Sequence, residues 1–155
     1  MFKLIIISVC APGWLIYTDS ANNSNCLNLR WGSWLSWNEA NSECQSDSNH
    51  FGELASVHDN GTNAFLGWLA DGYGNGFWLG GYKNEKGTWS WTDKSNWDYQ
   101  NWASGEPEDG NHTYTRVEAS GVWWDAVQED TVWDQALCQY KGKGVTAQML
   151  SNIES

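Results

Sequence analysis

The side chains best suited to chemistry in this sequence belong to two glutamates that flank a proline, Glu106 and Glu108. Carboxylates at this spacing could share one cation, because a cis bond before Pro107 would turn both toward the same side of a loop. Proline makes that bond accessible, since the cis form costs only about 0.5–1 kcal/mol before it. The alternative is an acidic surface turn, and the elements around the triplet must decide between the two.

The overall charge restricts the class of partner. The 155 residues carry 19 acidic and 8 basic side chains, which gives a formal net charge of −11. Nucleic acids and anionic membranes are polyanions, so we expect neither as a partner. Thirteen tryptophans, 16 glycines and only 17% charged residues predict many short strands and turns within a single domain.

The sequence does not predict a catalytic centre. The three histidines, His50, His58 and His112, are scattered, and no Ser/His/Asp or Cys/His set is expected to share a pocket. Cysteines held in disulfides would leave no thiol nucleophile. The two glutamates are interpreted as ligands or as a turn and not as a glycosidase pair. We therefore predict a binding protein and not an enzyme.

Cysteines and glycosylation acceptors indicate export. Four cysteines predict two disulfides in an oxidising compartment, with three possible pairings. Acceptor triplets of the type Asn-x-Ser/Thr occur at Asn22, Asn60 and Asn111. Together these features predict a secreted glycoprotein.

The amino terminus has the pattern of a signal segment. Residues 1–9 combine a basic start with an apolar run that is too short to span a bilayer. The cleavage point is open between residues 9 and 21. A cut beyond residue 10 would remove Cys10 and leave Cys26 without a partner.

A capping box predicts the first helix. The Ser36 side chain can accept from the amide three residues on, while the Glu39 carboxylate reaches back to the Ser36 amide. Trp37, Ala40 and Cys44 then form one apolar stripe. Cys44 should therefore face the core, where a long-range disulfide could reach it.

The remaining pattern alternates short elements with one long loop. A second helix should begin after Asp59 and bury residues 65, 66 and 69. Period-two runs predict strands at residues 77–82, 88–92, 114–118, 121–125 and 136–140. Residues 93–110 form an irregular segment that carries both glutamates, and loops of this length in compact domains are usually functional.

The ordered set of motifs resembles the C-type lectin-like domain, also called a carbohydrate-recognition domain. Its pieces are W-x-x-A-x-x-x-C at 37–44, E-L-A-S-V-H at 53–58, W-x-W-T-D at 89–93, N-W-x-x-G-E-P at 101–107 and G-V-W-W-D at 121–125. The resemblance covers residues 10–140 and leaves residues 141–155 as a polar tail. It implies an α+β fold with two helices, small antiparallel sheets and a long binding loop.

The resemblance also implies the disulfide pairing. Cys44 and Cys138 correspond to the bridge between the first helix and the last strand. Cys10 and Cys26 are similar to the additional amino-terminal bridge of long-form members. This similarity is the main reason to expect that Cys10 stays in the mature protein.

The implied binding site is a calcium site in the long loop. In sugar-binding members, an E-P-N or Q-P-D triplet and an N-D pair hold one Ca²⁺, and two sugar hydroxyls bind the ion directly. Glu106 and Asp125 match the acids, whereas Glu108 and Trp124 replace amides. We predict Glu106, Glu108 and Asp125 as metal ligands, and these three with Asn111 and Trp124 as the ligand-binding set.

The two replacements change what the site can recognise. An ionised carboxylate only accepts hydrogen bonds and an indole only donates one, so both amide donors to the sugar are lost. We predict a secreted lectin-like protein that binds glycans or a glycoprotein surface, with a degenerate calcium site. The alternative is a lectin-fold protein that binds a protein or a mineral surface without sugar or calcium. Retention on a sugar column that a chelator does not change would indicate the alternative.

Overall fold

The computed structural model describes residues 8–30, 35–46, 52–74, 76–108, 110–128, 135–141 and 143–144. Most of the predicted signal segment (1–9) and polar tail (141–155) lies outside these ranges, so both assignments stay predictions. No helix among the described residues is long and apolar enough to cross a membrane.

Helix α1 spans Trp37–Gln45 and begins as predicted. The Ser36 hydroxyl accepts from the Glu39 amide, and the Glu39 carboxylate accepts from the Ser36 amide at 2.9 Å. The three residues of the apolar stripe are buried. The cap and the stripe together fix both the start of the helix and the face that meets the sheet.

Helix α2 spans Asn60–Tyr73 and begins where Asp59 accepts from the Thr62 amide at 2.9 Å. It ends at Gly74, whose φ of 70° is a left-handed conformation that favours glycine. Leu66 and Leu69 are buried as predicted. The prediction for Phe65 was wrong, because this ring is only partly buried and stacks on Tyr17.

The described residues contain ten strands. In chain order they are β1 (Ser8–Val9), β2 (Leu15–Thr18), β3 (Ser24–Arg30), β4 (Glu53–Leu54), β5 (Phe77–Lys83), β6 (Trp89–Trp91), β7 (Tyr114–Val117), β8 (Trp123–Ala126), β9 (Gln135–Lys141) and β10 (Lys143–Gly144). The order of the large sheet is β2-β3-β9-β5-β7-β8, with β4 on β9 and β6 on β5, whereas β1 pairs with β10 separately.

The α+β class is confirmed, but the sheet is mixed and not purely antiparallel. Strand β9 pairs antiparallel with β3 and parallel with β5. The parallel pair arises because the last part of the chain returns into the middle of the sheet, between two strands that precede it. The β2–β3 hairpin was not predicted as strands.

Two disulfides join these elements as the resemblance implied. Cys44–Cys138 links α1 to β9 across 94 residues, and Cys10–Cys26 links the amino-terminal segment to β3. In the chain-entropy account, closing a loop of this length contributes a few kcal/mol by restricting the unfolded chain. Both pairings are confirmed.

Candidate functional site

The long loop is attached to β8 by backbone hydrogen bonds. The Trp123 amide donates to the Asn101 carbonyl at 2.9 Å, and the Ala103 amide donates to the Trp123 carbonyl at 2.9 Å. Trp123 is itself fixed in the core, where its indole N–H donates to the buried Asn63 side chain at 2.7 Å. The loop is therefore attached to β8 at Trp123, a rigid point two residues before Asp125.

This attachment brings Glu106 to Asp125. The Glu106 amide donates to the Ala103 carbonyl at 3.0 Å, and the Glu106–Pro107 peptide bond is cis. One oxygen of each carboxylate, Glu106 Oε2 and Asp125 Oδ2, is buried without a hydrogen-bond partner. The Asp125 side chain is fully buried.

The neighbourhood of the two acids opposes a double negative charge. Burial raises the pKa of Glu106, and the adjacent Asp125 carboxylate raises it further, while the amides of Asp125 and Glu108 offset part of the effect. Two carboxylates this close are stable when a proton or a cation lies between them. The arrangement is thus chemically able to hold a positive charge.

A histidine completes the cluster. His112 Nδ1 lies 3.3 Å from Asp125 Oδ1 and 3.7 Å from Glu108 Oε2. It is held there because the next residue, Thr113, donates its amide to the Ala126 carbonyl at 3.0 Å. This residue was not among the predicted site residues. Its position four residues after Glu108, just before β7, was the available signal.

The other predicted site residues are placed less closely. Glu108 is 61% exposed at its side chain, and Asn111 is exposed beside His112. Trp124 neighbours Asp125 on β8, where successive side chains point to opposite faces of the sheet. Its indole nitrogen is buried without a partner. Within the described ranges, no three His, Cys, Asp or Glu side chains already form a finished metal cage.

A second polar cluster lies beneath the β2–β3 turn, around a cavity of about 140 Å³. His58 Nδ1 lies 2.7 Å from Asp98 Oδ1, and His58 Nε2 lies 3.1 Å from Ser56 Oγ. The expectation that no Ser/His/Asp set shares a pocket was therefore wrong. Residues 93–98 fold back onto the strand end that carries Ser56 and His58, which sequence distance alone conceals.

The bonding of this second cluster is that of a structural network. The buried Ser56 hydroxyl donates to Asp93 Oδ2 at 2.7 Å, so its proton is not directed to His58. Gln139 donates from β9 to both Ser56 and Asp93, at 2.7 and 3.1 Å. A serine held in this way is not arranged as a nucleophile.

Comparison with known proteins agrees with the fold. Residues 33–145 match the family model described as the Lectin C-type domain. The chain is 29% identical to the galactose-specific lectin nattectin of Thalassophryne nattereri over 147 residues, which covers 92% of this chain and 82% of that protein.

Two further similarities place the match on the domain itself. The chain is 29% identical over 103 residues to C-type mannose receptor 2 of Homo sapiens, which covers 64% of this chain but only 7% of the receptor. The solved structure of the C-type lectin CEL-I from Cucumaria echinata superposes with a TM-score of 0.72 at 26% identity, covering 86% of this chain and 99% of that one. The family model spans well over half of the sequence, and this chain belongs to the C-type lectin domain family.

Proposed function

We propose that this chain is a secreted lectin that binds carbohydrate at the loop carrying Glu106, Glu108 and Asp125, with a bound cation as part of the site. C-type lectin domains are typically binding domains, and members often use calcium. The observation that carries the proposal is the pair of buried carboxylate oxygens without partners, on Glu106 and Asp125.

The donor set fits a cation in part. Calcium takes 6–8 oxygen ligands, many of them carboxylates, and three acids are available here. Glu106 and Asp125 are fixed by the fold, whereas the Glu108 side chain is 61% exposed and can turn toward the ion. A bound calcium would supply open coordination positions for two hydroxyl groups of a sugar.

The remaining side chains define what the sugar meets. Glu106 is only partly buried and can accept hydrogen bonds from sugar hydroxyl groups, whereas the fully buried Asp125 side chain can meet only the ion. Glu108 also only accepts, so the site lacks the amide donor usual at its position. Asn111 is exposed at the edge of the loop. A glycan attached there would crowd the site, so we expect binding to be strongest when this acceptor is unmodified.

The test is retention on immobilised sugars. Nattectin is described as galactose-specific and the larger relative as a mannose receptor, so both sugars belong in the screen. We expect retention of the wild-type chain that EDTA abolishes, with loss of retention in Glu106→Gln and in Asp125→Asn. Glu43→Gln, an exposed position on α1, is the matched control and should behave as wild type.

The alternative function makes the opposite prediction in the same experiment. Binding to a protein or a mineral surface, without sugar or calcium, requires no retention on either column. Retention that survives both EDTA and the Glu106→Gln change would also contradict the proposed site. In that case sugar binding would have to reside elsewhere on the domain.

A further inference from the structure

We propose that the cleft beneath the β2–β3 turn binds a small organic cation, an ammonium group on a short apolar stem, with Asp19 as its counter-ion. The cleft shares no residue with the loop site at Glu106, Glu108 and Asp125, so the inference goes beyond the proposed function. It is carried by the shape of the cleft, the charge of its walls and the acceptor positions that the fold leaves open.

The cleft consists of an inner and an outer cavity. Their volumes are about 140 Å³ and about 460 Å³. The residues that line both are Asp19, Asn23, His58 and Ser95. The outer cavity therefore leads to the inner one. Because a cavity of about 150 Å³ can hold a molecule of the size of benzene, the inner cavity has room for about five or six non-hydrogen atoms.

The turn that covers the cleft is fixed by hydrogen bonds. The Asn23 amide donates to Asp19 Oδ1 at 2.7 Å, and Asn23 Nδ2 donates to Asp19 Oδ2 at 3.0 Å. The Ser20 amide donates to Asp59, the residue that caps helix α2. The walls are thus formed before a ligand arrives, and binding does not have to order a loop.

Negative charge predominates on the walls of the cleft. The acids that line it are Asp19, Asp59, Asp93 and Asp98. Its basic residues are His58, which contacts Asp98 at 2.7 Å, and Lys94, which lines only the outer cavity and is exposed. An anionic ligand would be repelled by these walls, whereas a cation would be attracted.

Hydrogen bonds keep two of these acids ionised at neutral pH. Burial raises the pKa of Asp59, but hydrogen bonds from Thr62 and Gly61 contribute to a net direction that is down. Burial also raises the pKa of Asp93, and hydrogen bonds from Ser95 again help to turn the net direction down. The negative charge of the cleft is therefore present under physiological conditions.

The acids differ in the acceptor positions that they leave open. A carboxylate has about four lone-pair positions. Asp93 accepts from the Ser56 hydroxyl, from the Gln139 side chain and twice from Ser95, so it supplies charge but no free position. Asp19 accepts only the two bonds from Asn23 among the described residues, and it keeps positions for a ligand.

Two further polar groups can complete the recognition of an ammonium group. The Tyr17 hydroxyl and the Asn25 side-chain amide belong to residues that line the inner cavity, and neither bonds to another group in the described part of the chain. An ammonium group has three N–H donors and no acceptor. Asp19, Tyr17 and Asn25 offer one acceptor for each of these donors.

Apolar side chains of the inner cavity account for the stem. Leu27, Ala55 and Leu66 line this cavity and are at most 2% exposed. A short hydrocarbon chain in contact with them is removed from water, which favours binding. An inorganic cation would leave this part of the wall uncovered. The cleft therefore fits an organic amine better than a bare ion.

The experiment is an NMR titration of the isotope-labelled full chain with n-butylamine hydrochloride at constant ionic strength. n-Butanol and sodium butyrate are the matched probes, because they keep the stem and replace the ammonium with a neutral or a negative group. We expect n-butylamine to bind at one site and to shift the backbone amides of Asp19, Asn25 and Ser56. Its affinity should exceed that of n-butanol by about tenfold or more, and butyrate should not bind.

Asp19→Asn is the decisive variant. It removes a charged acceptor, so the affinity for n-butylamine should fall by about tenfold or more. Tyr17→Phe keeps the ring that stacks on Phe65 and removes only the hydroxyl, so its fold is retained and its affinity should fall by about threefold. Asp71→Asn neutralises an exposed acid of α2 that does not line the cleft, and this control should bind as wild type.

A parallel titration separates two sources of the same group, a free small amine and a lysine side chain of another protein. Nα-acetyl-lysine methylamide carries the butylammonium stem on a peptide backbone. Tighter binding than that of n-butylamine assigns the ligand to a lysine side chain. Weaker binding assigns it to a free amine.

The remaining outcomes contradict the inference. Binding of n-butanol or butyrate as tight as that of n-butylamine would exclude recognition of the charge. An equal loss in Asp71→Asn would indicate general attraction to an acidic chain, and unchanged affinity in both Asp19→Asn and Tyr17→Phe would place the amine elsewhere. Retention on sugar should be the same in Asp19→Asn as in wild type, so failure of this inference leaves the proposed function intact.

Discussion

The domain carries two acidic clusters that differ in how their oxygen atoms are satisfied. Asp93 accepts from the side chains of Ser56, Ser95 and Gln139 at the floor of the second cluster. In the loop site, Glu106 and Asp125 each bury an oxygen that accepts from nothing. The acid of the first cluster is satisfied by donors within the chain, whereas each acid of the loop site keeps one buried oxygen without a donor.

The pKa directions express the same difference. Burial raises the pKa of Asp93, but hydrogen bonds from Ser95 and Ser56 and the charge of His58 outweigh it, and the net direction is down. At Glu106, burial and the neighbouring Asp125 act together and the net direction is up. A carboxylate with all its hydrogen bonds stabilises the fold, whereas two adjacent carboxylates without donors favour binding of a proton or a cation.

The largest expected effect comes from removing the hub of the satisfied cluster. Asp93→Ala leaves four donors without this acceptor, namely the Ser56 and Ser95 hydroxyls, the Ser95 backbone amide and the Gln139 side-chain amide. An unsatisfied buried group costs about 1–3 kcal/mol. We expect a loss of about 3 kcal/mol and a midpoint about 6–12 °C lower, measured by thermal and urea unfolding. Asp71→Ala, on the exposed side of α2, should change little. Equal losses in both variants would contradict the assigned role.

The loop site at Glu106 and Asp125 should respond to added metal. Calcium at 100 times its dissociation constant should stabilise the wild-type chain by about 2.7 kcal/mol, or about 5–10 °C. The rise should vanish in Asp125→Asn and persist in Asp98→Asn, which alters only the satisfied cluster. An unchanged midpoint in the wild-type protein would mean that the loop acids form only an acidic turn. The search would then move to a protein or surface partner.

Local signals in the sequence predicted the framework well. The capping box at Ser36 and Glu39, the stripe that buries Cys44, and the period-two runs all act over a few residues, so they can be read from one segment. The disulfides and the loop's identity came instead from the resemblance. What failed depends on distant pairing: the parallel β5–β9 contact arises only when the chain's end re-enters the sheet.

Contacts inside the two clusters were the least predictable part. His58 and Asp98 are 40 residues apart, and His112 and Asp125 are 13 apart. Spacing along the chain therefore said nothing about the aspartates that these histidines meet, and only the separation of four residues between Glu108 and His112 was a signal. Glu106 and Asp125 were predicted as a pair only through family motifs. That their oxygens are left unsatisfied is a property of the folded backbone and has no sequence pattern.

Neutralising Glu106 should have a smaller effect, and in the absence of metal it should raise the stability of the fold at neutral pH. The Glu106 pKa is raised from its usual 4.5, so the folded state holds this proton more tightly than the unfolded chain. The stabilisation is complete below about pH 4.5 and is lost as pH rises through the folded pKa. The Glu106→Gln side chain is neutral at every pH, so the variant keeps this stabilisation as pH rises.

The measurement is the unfolding midpoint of both proteins in chelator, from pH 4 to pH 8. The midpoint of the variant should rise relative to that of the wild type as pH rises, because only the wild type acquires the second negative charge. Saturating metal should reverse the order, because the variant has lost a ligand. A variant that is less stable than wild type at pH 8 in chelator would refute the repulsion between Glu106 and Asp125.

The smallest expected effect lies at the edge of the satisfied cluster. His58 and Asp98 form a 2.7 Å contact, but their side chains are 33% and 52% exposed. Exposed ion pairs contribute only about 0.2–1 kcal/mol and are screened by salt. Asp98→Asn should therefore lower the midpoint by at most about 4 °C, and the difference should shrink in 1 M NaCl. A loss as large as that of Asp93→Ala would mean that Asp98 and not Asp93 anchors the segment. The contrast between a buried hub and its solvated neighbour would then have to be abandoned.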